Sequence, residues 1–572
     1  MKFGLTKYTL DEFFQKVIEK YSDRPALALI GQEPITYHQF GQRVDLLKQR
    51  LRDLGIREGN RIAILGRSST NWATAFMAIM TMGAVAVPIL EDFPESDIDH
   101  IIRHAEVKAI FIAGNLHQDL TLPSLGKNKI VLNLDDLTLL SDAPPLMKVW
   151  HQIQDAPQKI ARLFEKEFPA SHIAANSTIA EDDVAEILYT SGTTGHSKGV
   201  ILTNKNLVSN LFEGPDLLGV INDRSVVLSF LPMAHAFGST SGFLSIIYCG
   251  ACIYFLDKRP SPKLLLDAMQ KVRPTIIGGV PLIFEKIYHK RVVPALSSNR
   301  LMRSISALPR LRKWLYRAIG KKVMRSFGGR LECAIIGGAS LSHEVEIFLR
   351  EGNIPYALGY GLSECSPLVT FSSMTEVKIG SVGHAISDVS IKIVEKEPAT
   401  GIGEILVKGP NVMKGYFKND AETARVFTSD GWFITGDRGY LDDDGFLFIT
   451  GRSKNVIIGP SGENVYPEII ESKFMESLFV EEVLVYPDQN QLIARVYPDY
   501  GYIQSRIAGK DESALAADIT SILEDVKKAV NKQLPQASRV HKVYEQTEPF
   551  IKTPTNKIKR GEYFPAYCAQ GS

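Results

Sequence analysis

Strands that alternate with helices constrain this chain more than any other feature of its sequence. "RIAIL" (61–65) is an apolar run of strand length. Ser69 stands where it can cap a following helix, and "AVAVPI" (84–89) is the next strand. This is a strand–helix–strand unit, for which parallel pairing with a right-handed crossover is the default. The pattern recurs. "SVVLSFL" (225–231) leads through an apolar helix to "CIYFL" (252–256), the helix "PKLLLDAMQKV" (262–272) and "TIIGGV" (275–280). "LECAII" (331–336) is followed by a glycine pair, a helix near 344–350 and "IPYAL" (354–358). The expected class is therefore α/β, with layered and mostly parallel sheets. The longest apolar run, from Phe76, is too short to cross a bilayer and reads as core helix plus strand.

The texture changes twice. From about 381 to 451 short strands are joined by tight turns such as Asp444-Gly445, which predicts a β-rich subdomain. Beyond 451 a short strand pair, a helix near 512–533 and a lysine-rich end predict a small α+β domain. The expected division is 1–451 and 452–572, with the boundary near 452–455. At 572 residues more than one core is required.

A net charge of +1 argues against a general nucleic-acid binder. The five cysteines are scattered; Cys249 and Cys252 are spaced CxxC without a second pair, so buried thiols in a reducing cytosol are expected. The first residues carry no apolar core of a secretory signal.

"YTSGTTGHSKG" (189–199) follows a strand with glycines, hydroxyls and one lysine. Glycines let backbone N–H groups approach phosphate oxygens, hydroxyls donate, and lysine offsets charge. The spacing is not that of a Walker A loop, because Lys198 lies three past Gly195 and Gly199 follows it. Taken alone, the loop fits phosphate binding or a solvated linker equally.

Other motifs occur in order with it: "LPMAHAFG" (231–238), "IIGGASLS" (335–342), "LGYGLSECSP" (358–367), "GWFITGDRG" (431–439), "GRSKNVIIGPSGENVYPEIIE" (451–471) and "KTPTNKIKR" (552–560). Together they resemble the adenylate-forming superfamily, and most closely its long-chain fatty acid–CoA ligases. The resemblance runs from about 186 to 560, with "ITYHQFGQRVDLL" (35–47) fitting as well. It implies an ATP- and Mg2+-dependent ligase that makes acyl-AMP and pyrophosphate from a fatty acid, then passes the acyl group to CoA.

The resemblance also implies roles. Lys557 would bridge the α-phosphate and the carboxylate during adenylation. Glu364 would hold Mg2+, with Thr190 beside it. Thr190, Ser191, Gly192, Thr193, Thr194, Gly195 and Lys198 would wrap the β- and γ-phosphates. Gly338, Ala339, Gly359 and Tyr360 would form the adenine slot, Ser363 would reach a phosphate, and Asp437 would accept from the ribose hydroxyls. Arg452 would contact the nucleotide. Lys454 would mark the hinge by which the small domain turns, and Gly462 would let the pantetheine arm of CoA pass. His235 would border the acyl carboxylate. The chain departs from the family pattern at Asn556, where glycine is usual, at Ser363, where threonine is usual, and at Ser239, where some long-chain members have a tryptophan gate.

Residues 286–330 hold thirteen Lys/Arg and no Asp or Glu. Leu308, Leu311, Trp314, Leu315, Ile319 and Val323 recur there at helical spacing. Such a segment suits peripheral contact with an anionic membrane, a core-packed helix with a solvated basic face, or a patch for CoA phosphates. The expected location is cytoplasmic, with such contact on the inner face of a membrane. No nucleic-acid partner is expected. The rival readings are a fatty acyl-AMP ligase serving an acyl carrier protein, an aryl-CoA ligase, and a silent nucleotide-binding protein.

Overall fold

The helix Thr70–Thr81 is apolar on every side, and every residue from Trp72 to Thr81 is buried. A helix of that kind belongs between layers, and here two large sheets enclose it. In the computed structural model of the protein, residues 2–126, 129–140, 178–190, 197–297, 308–458, 464–488, 491–506, 512–553 and 557–563 are described. Ser69 caps the central helix by accepting from the Trp72 N–H at 3.1 Å. The Thr74 and Thr81 hydroxyls donate to the carbonyls of Thr70 and Met77, so both are satisfied, whereas the buried Trp72 indole N–H has no hydrogen-bond partner among the described residues.

The first sheet has seven strands, in the order Gly415–Tyr416, Lys198–Thr203, Val184–Thr190, Val85–Ile89, Arg61–Leu65, Ala109–Ile112, Ile130–Asn133. The strand–helix–strand unit expected from the sequence is present, with Arg61 opposite Val85 and Leu65 opposite Ile89 in parallel register. The second sheet has nine strands. Its centre is the parallel run Tyr356–Gly361, Cys333–Gly337, Ile276–Gly279, Val226–Ser229, Cys252–Phe255, Pro25–Leu29, and antiparallel strands close both edges. Layered and mostly parallel α/β sheets are thus observed.

Within 381–451 a four-stranded antiparallel sheet forms from Ser390–Val394, Gly403–Lys408, Phe433–Leu441 and Leu447–Arg452. The same stretch also lends His384–Ala385 to the nine-stranded sheet and Gly415–Tyr416 to the seven-stranded one. The β-rich region is therefore stitched into both large layers. Beyond it, Val480–Asp488, Gln491–Pro498 and Lys542–Glu545 make a three-stranded sheet. A separate apolar cluster, running from Ile457 to Val540, covers it together with the helices Pro467–Met475 and Glu512–Asn531.

Cys249, Cys252, Cys333 and Cys365 are buried free thiols. Burial pushes the Cys249, Cys252 and Cys333 thiols up to about 12, so they stay protonated and behave as small apolar groups. Among the described residues no helix is long and apolar enough to cross a membrane.

The basic segment divides the apolar residues that periodicity groups together. Leu315 and Val323 are buried and Ile319 packs against the core, but Leu308, Leu311 and Trp314 are exposed. The five of these positions that lie on the helix Pro309–Ser326 span too wide an arc for one neighbouring layer to cover, and Leu308 precedes the helix in extended backbone.

Candidate active site

The parallel strands Val226–Ser229, Cys333–Gly337 and Tyr356–Gly361 end along one edge of the nine-stranded sheet. The carboxyl ends of parallel strands are where α/β sheets leave room for ligands. His235 follows the first strand, Gly338 the second, and Ser363 with Glu364 the third. Gly338 has φ +87°, a conformation that favours glycine, and it opens the turn after its strand.

His235 sits in a tight turn, its N–H donating to the Pro232 carbonyl at 3.1 Å. Gly238 passes so close that a Cβ there would lie 2.1 Å from the same oxygen, so only glycine lets the turn close. The Phe237 N–H donates to His235 Nδ1 at 3.3 Å, which assigns the proton of the neutral ring to Nε2. Burial first, and Lys557 second, lower the imidazole pKa to about 4. At neutral pH His235 is an uncharged hydrogen-bond donor.

Asp437 and Arg452 face each other across the hairpin Phe433–Leu441/Leu447–Arg452. Asp437 is only 4% exposed. Its Oδ1 accepts from Arg452 Nε at 2.9 Å and its Oδ2 from the Tyr360 hydroxyl at 2.7 Å. Two of its roughly four acceptor directions remain for a ligand. Asp437 raises the Arg452 pKa, and burial raises that of Tyr360. Tyr360 thus holds its ring by its own hydroxyl.

Glu364 lies in the short turn Ser363–Cys365. Its Oε1 accepts from the Tyr416 hydroxyl at 2.9 Å, and its carbonyl accepts from the Met413 N–H at 2.8 Å. Thr190 and Lys198 pair across the antiparallel strands Val184–Thr190 and Lys198–Thr203, at the mouth of the loop. The Lys198 ammonium is ion-paired with Glu422 and lies 5.2 Å from the Tyr416 ring centre. Tyr416 and Glu422 were not singled out from sequence. Tyr416 sits in the edge strand Gly415–Tyr416, on the neighbouring side of Lys198–Thr203, and connects the strand carrying Lys198 to Glu364.

Lys557 arrives from the far end of the chain. Two hydrogen bonds to Thr553 hold it: the Thr553 N–H donates to the Lys557 carbonyl at 2.7 Å, and the Lys557 N–H donates to Thr553 Oγ1 at 3.2 Å. The residue stays solvent-accessible, yet the protein crowded about its ammonium lowers its pKa. Arg452 adds to that fall, while Asp437 and Glu364 oppose it. Lys454, in the turn Ser453–Asn455, is lowered likewise by burial, by Arg452 and by Lys198, against Asp437 and Glu422. Four cations from three stretches, Lys198, Arg452 with Lys454, and Lys557, therefore bear on one place. Arg452 lowers the pKa of both Lys454 and Lys557, and Lys198 lowers that of Lys454, so an anion at this place would stabilise the charged form of those lysines.

Beside this charged end lies a pocket whose empty space, counted together with the solvent at its mouth, is about 730 Å3. Its walls run from Gly338, Gly359, Tyr360 and Ser363 past His235 and Phe237 to Pro215, Ile221 and Ile246. Ala339 is exposed and does not line it. Ser191, Gly192, Thr193, Thr194, Gly195 and Gly462 lie outside the described residues.

The donor set suits Mg2+. Among the described residues no group of three or more His, Cys, Asp or Glu could cage a metal. A hard ion held by one carboxylate, phosphate oxygens and water needs no such cage, and Glu364 is available for that part.

The AMP-binding enzyme family model matches residues 14–417. A long-chain-fatty-acid–CoA ligase of Mycobacterium bovis is 29% identical over 89% of this chain and 86% of its own length. A chloroplastic long-chain-fatty-acid–[acyl-carrier-protein] ligase of Arabidopsis thaliana is 28% identical over 96% of this chain and 84% of its own. Among solved structures, an anthranilate CoA ligase in complex with anthranoyl-AMP superposes with a TM-score of 0.75, covering 99% of each chain at 20% identity.

Proposed function

We propose, on the premise that the chain belongs to the AMP-binding enzyme family, that it is an AMP-forming fatty acid–CoA ligase with a preference for long-chain acids. The observation that carries this reading is the junction of a polyanion site with an apolar pocket. Lys198, Arg452, Lys454 and Lys557 converge on one side, and the pocket lined by Ile221 and Ile246 opens on the other. His235 stands between the two, and its Nε2–H is suited to hold a carboxylate at the junction.

In this reading a carboxylate oxygen of the acid attacks the α-phosphorus of ATP, and the bond to the pyrophosphate oxygen breaks. Both reactants are anions, so positioning and positive charge must supply most of the catalysis. Lys557 would hold the attacking and α-phosphate oxygens together as negative charge builds. Arg452 and Asp437, locked to each other, would orient the nucleotide, and Lys198 would meet the outer phosphates. Glu364, steadied by Tyr416, and Thr190 would hold Mg2+, which when bound neutralises phosphate charge. The thiol of CoA then attacks the acyl carbon and AMP leaves. For that second step the small domain, divided from the rest near 452–455, would turn about Lys454. The basic segment 286–330 favours contact with a membrane, where a water-poor acid is dissolved.

The name of the Arabidopsis thaliana relative supports a second reading, in which an acyl carrier protein replaces CoA. AMP and pyrophosphate release should be measured with ATP, Mg2+ and acids from acetate through benzoate to palmitate, with and without CoA. The expected result is AMP release that requires CoA and is greatest with long acids. Acyl-AMP that accumulates whether or not CoA is present would favour the carrier-protein reading, and a preference for benzoate would overturn the fatty-acyl one.

A further inference from the structure

The helix Asn204–Leu211 grows directly out of the strand that carries Lys198. Two of its asparagines reach across to other parts of the chain. Asn206 Nδ2 donates to the carbonyls of Pro410 and Val412 at 2.8 and 2.9 Å. Asn210 Nδ2 donates to the Leu368 carbonyl at 2.8 Å, and its Oδ1 accepts from the Leu368 N–H at 3.1 Å. Asn411 joins these two anchor points and is only 1% exposed. Its Nδ2 donates to the carbonyls of Cys365 and Leu368 at 3.0 and 2.8 Å. The three buried asparagines therefore tie the turn that follows Glu364 to the strand of Lys198.

That turn needs outside support. Ser366 has φ +66°, a left-handed conformation that a residue with a side chain keeps only where its surroundings impose it. It is fully buried, and its hydroxyl has no hydrogen-bond partner among the described residues. Asn411 bonds the carbonyl just before Ser366 and another two residues after it. The Asn411 Oδ1 is itself buried without a partner among the described residues, where a buried acceptor is normally met. Turning the amide over would set that oxygen against two carbonyl oxygens, so the two donated bonds decide its orientation. Gly409 leaves room for it, because a Cβ there would lie 2.7 Å from Oδ1. Aspartate has the same shape but, as an anion, no donor, and an alanine would leave both carbonyls bare. Of side chains this small, only an amide offers two N–H donors.

We propose that Asn411 is a positioning residue for acyl-AMP formation: acting through the Cys365 carbonyl, it sets the backbone from which Glu364 reaches Mg2+. This rests on the reading above that Glu364 holds that ion. Tyr416 fixes the carboxylate, the Met413 N–H fixes the Glu364 carbonyl, and Asn411 fixes the peptide that follows.

Hydrogen exchange and metal titration test it together. In the wild type without ligands, the amides of 362–368 should exchange as slowly as those of the neighbouring strands. Asn411→Asp and Asn411→Ala should speed exchange there roughly tenfold or more, and leave the strand Arg61–Leu65 unchanged. Both should need roughly 10–100-fold more Mg2+ for half-maximal acyl-AMP formation, the usual size of losing a group that orients a metal ligand. Mn2+ binding in the presence of ATP should weaken in parallel by paramagnetic resonance. Saturating Mg2+ should recover most of the rate, which it would not do for a fold that is merely destabilised. Glu364→Gln is the reference: it should also raise the Mg2+ requirement, while exchange at 362–368 stays near wild type. If Glu364→Gln keeps the wild-type requirement, the metal reading and this proposal fall together. If Glu364→Gln raises it and the Asn411 variants do not, this proposal falls alone. Unchanged exchange at 362–368 in both variants would overturn it as well. So would wild-type exchange as fast as that of an exposed loop, a result that needs no variant to fold.

Discussion

The charged end of the site and the apolar pocket beside it are built by different rules. The charged end takes single side chains from 198, 364, 416, 437, 452, 454 and 557 and fixes several of them by directed bonds, such as Tyr360 and Arg452 on the two oxygens of Asp437. The pocket takes its far wall from Pro215 and Ile246 on two short helices and from Ile221 in the connection after the first, and shapes it by packing. Directed bonds between charges fail when one partner is lost, whereas an apolar wall changes by degrees. Substitutions at the charged end should therefore affect rate, and those in the pocket should affect the choice of acid.

Lys557 is where that contrast breaks most sharply if it is wrong. Lys557→Ala should lower acyl-AMP formation by ~10²–10³-fold, the usual size of losing one group that stabilises developing charge. ATP binding, measured by calorimetry, should change far less, because Arg452, Lys198 and Asp437 remain. A loss below about tenfold in rate would mean that Lys557 is not at the reacting atoms. His235 adds a pH test. Its pKa of about 4 keeps it neutral across the working range, so a rate transition near pH 6–7 must belong to another group.

A lone buried carboxyl shows what the cluster of pairs avoids. Glu186, in the strand Val184–Thr190, is fully buried with no hydrogen-bond partner among the described residues for either carboxyl oxygen, and burial pushes its pKa to about 8. The folded protein thus keeps this proton up to about pH 8, while an unfolded chain releases it near 4.5. The contribution to stability is largest below 4.5 and falls as pH rises toward 8. Glu186→Gln removes the titration. Its melting temperature relative to wild type should rise steadily between pH 5 and pH 8, for a difference on the order of a few kcal/mol. A constant gap over that range would show that Glu186 titrates normally.

The pocket side of the comparison is sharpened at Gly214. Gly214 lines the pocket, and a Cβ there would meet nothing within 4 Å. Gly214→Phe should put a ring into that open space. Turnover of the longest accepted acid should fall by roughly 10–100-fold, with little change for short acids, so that the preferred length moves down. An equal loss for all acids would mean that the ring disturbs the fold instead of the pocket.

What the sequence revealed follows the same division. The charged end stood out in the sequence because its charged residues fall in short motifs with glycines and hydroxyls, and the structure brings Lys198, Glu364, Asp437, Arg452 and Lys557 near one another; the roles given to them are those proposed above. The strand–helix alternation was legible because burial imposes a period. The pocket wall was not, since Ile221 and Ile246 look in sequence like any core residues. The basic helix was half legible: its period was visible, but which apolar residues the neighbouring layer leaves uncovered depends on packing that one segment does not encode. Tyr416 and Glu422 escaped notice because "KGYFKNDAETA" reads as a surface turn. Only pairing of Gly415–Tyr416 with Lys198–Thr203 across more than two hundred residues gives them partners.

Tyr416 offers the smallest and most diagnostic effect. Its hydroxyl fixes one oxygen of Glu364, while its ring lies under Lys198. Tyr416→Phe keeps the ring and removes one hydrogen bond to a carboxylate, worth roughly 1.5–3 kcal/mol when fully made and less at this half-buried position. If Tyr416 steadies Glu364 for Mg2+, the variant should need about three- to tenfold more Mg2+ for half-maximal rate, and Mn2+ binding in the presence of ATP should weaken in parallel by paramagnetic resonance. Saturating metal should then restore most of the rate. A drop in rate that added metal does not recover, with metal binding unchanged, would instead make Tyr416 a support for Lys198 and assign it to the phosphate side of the site.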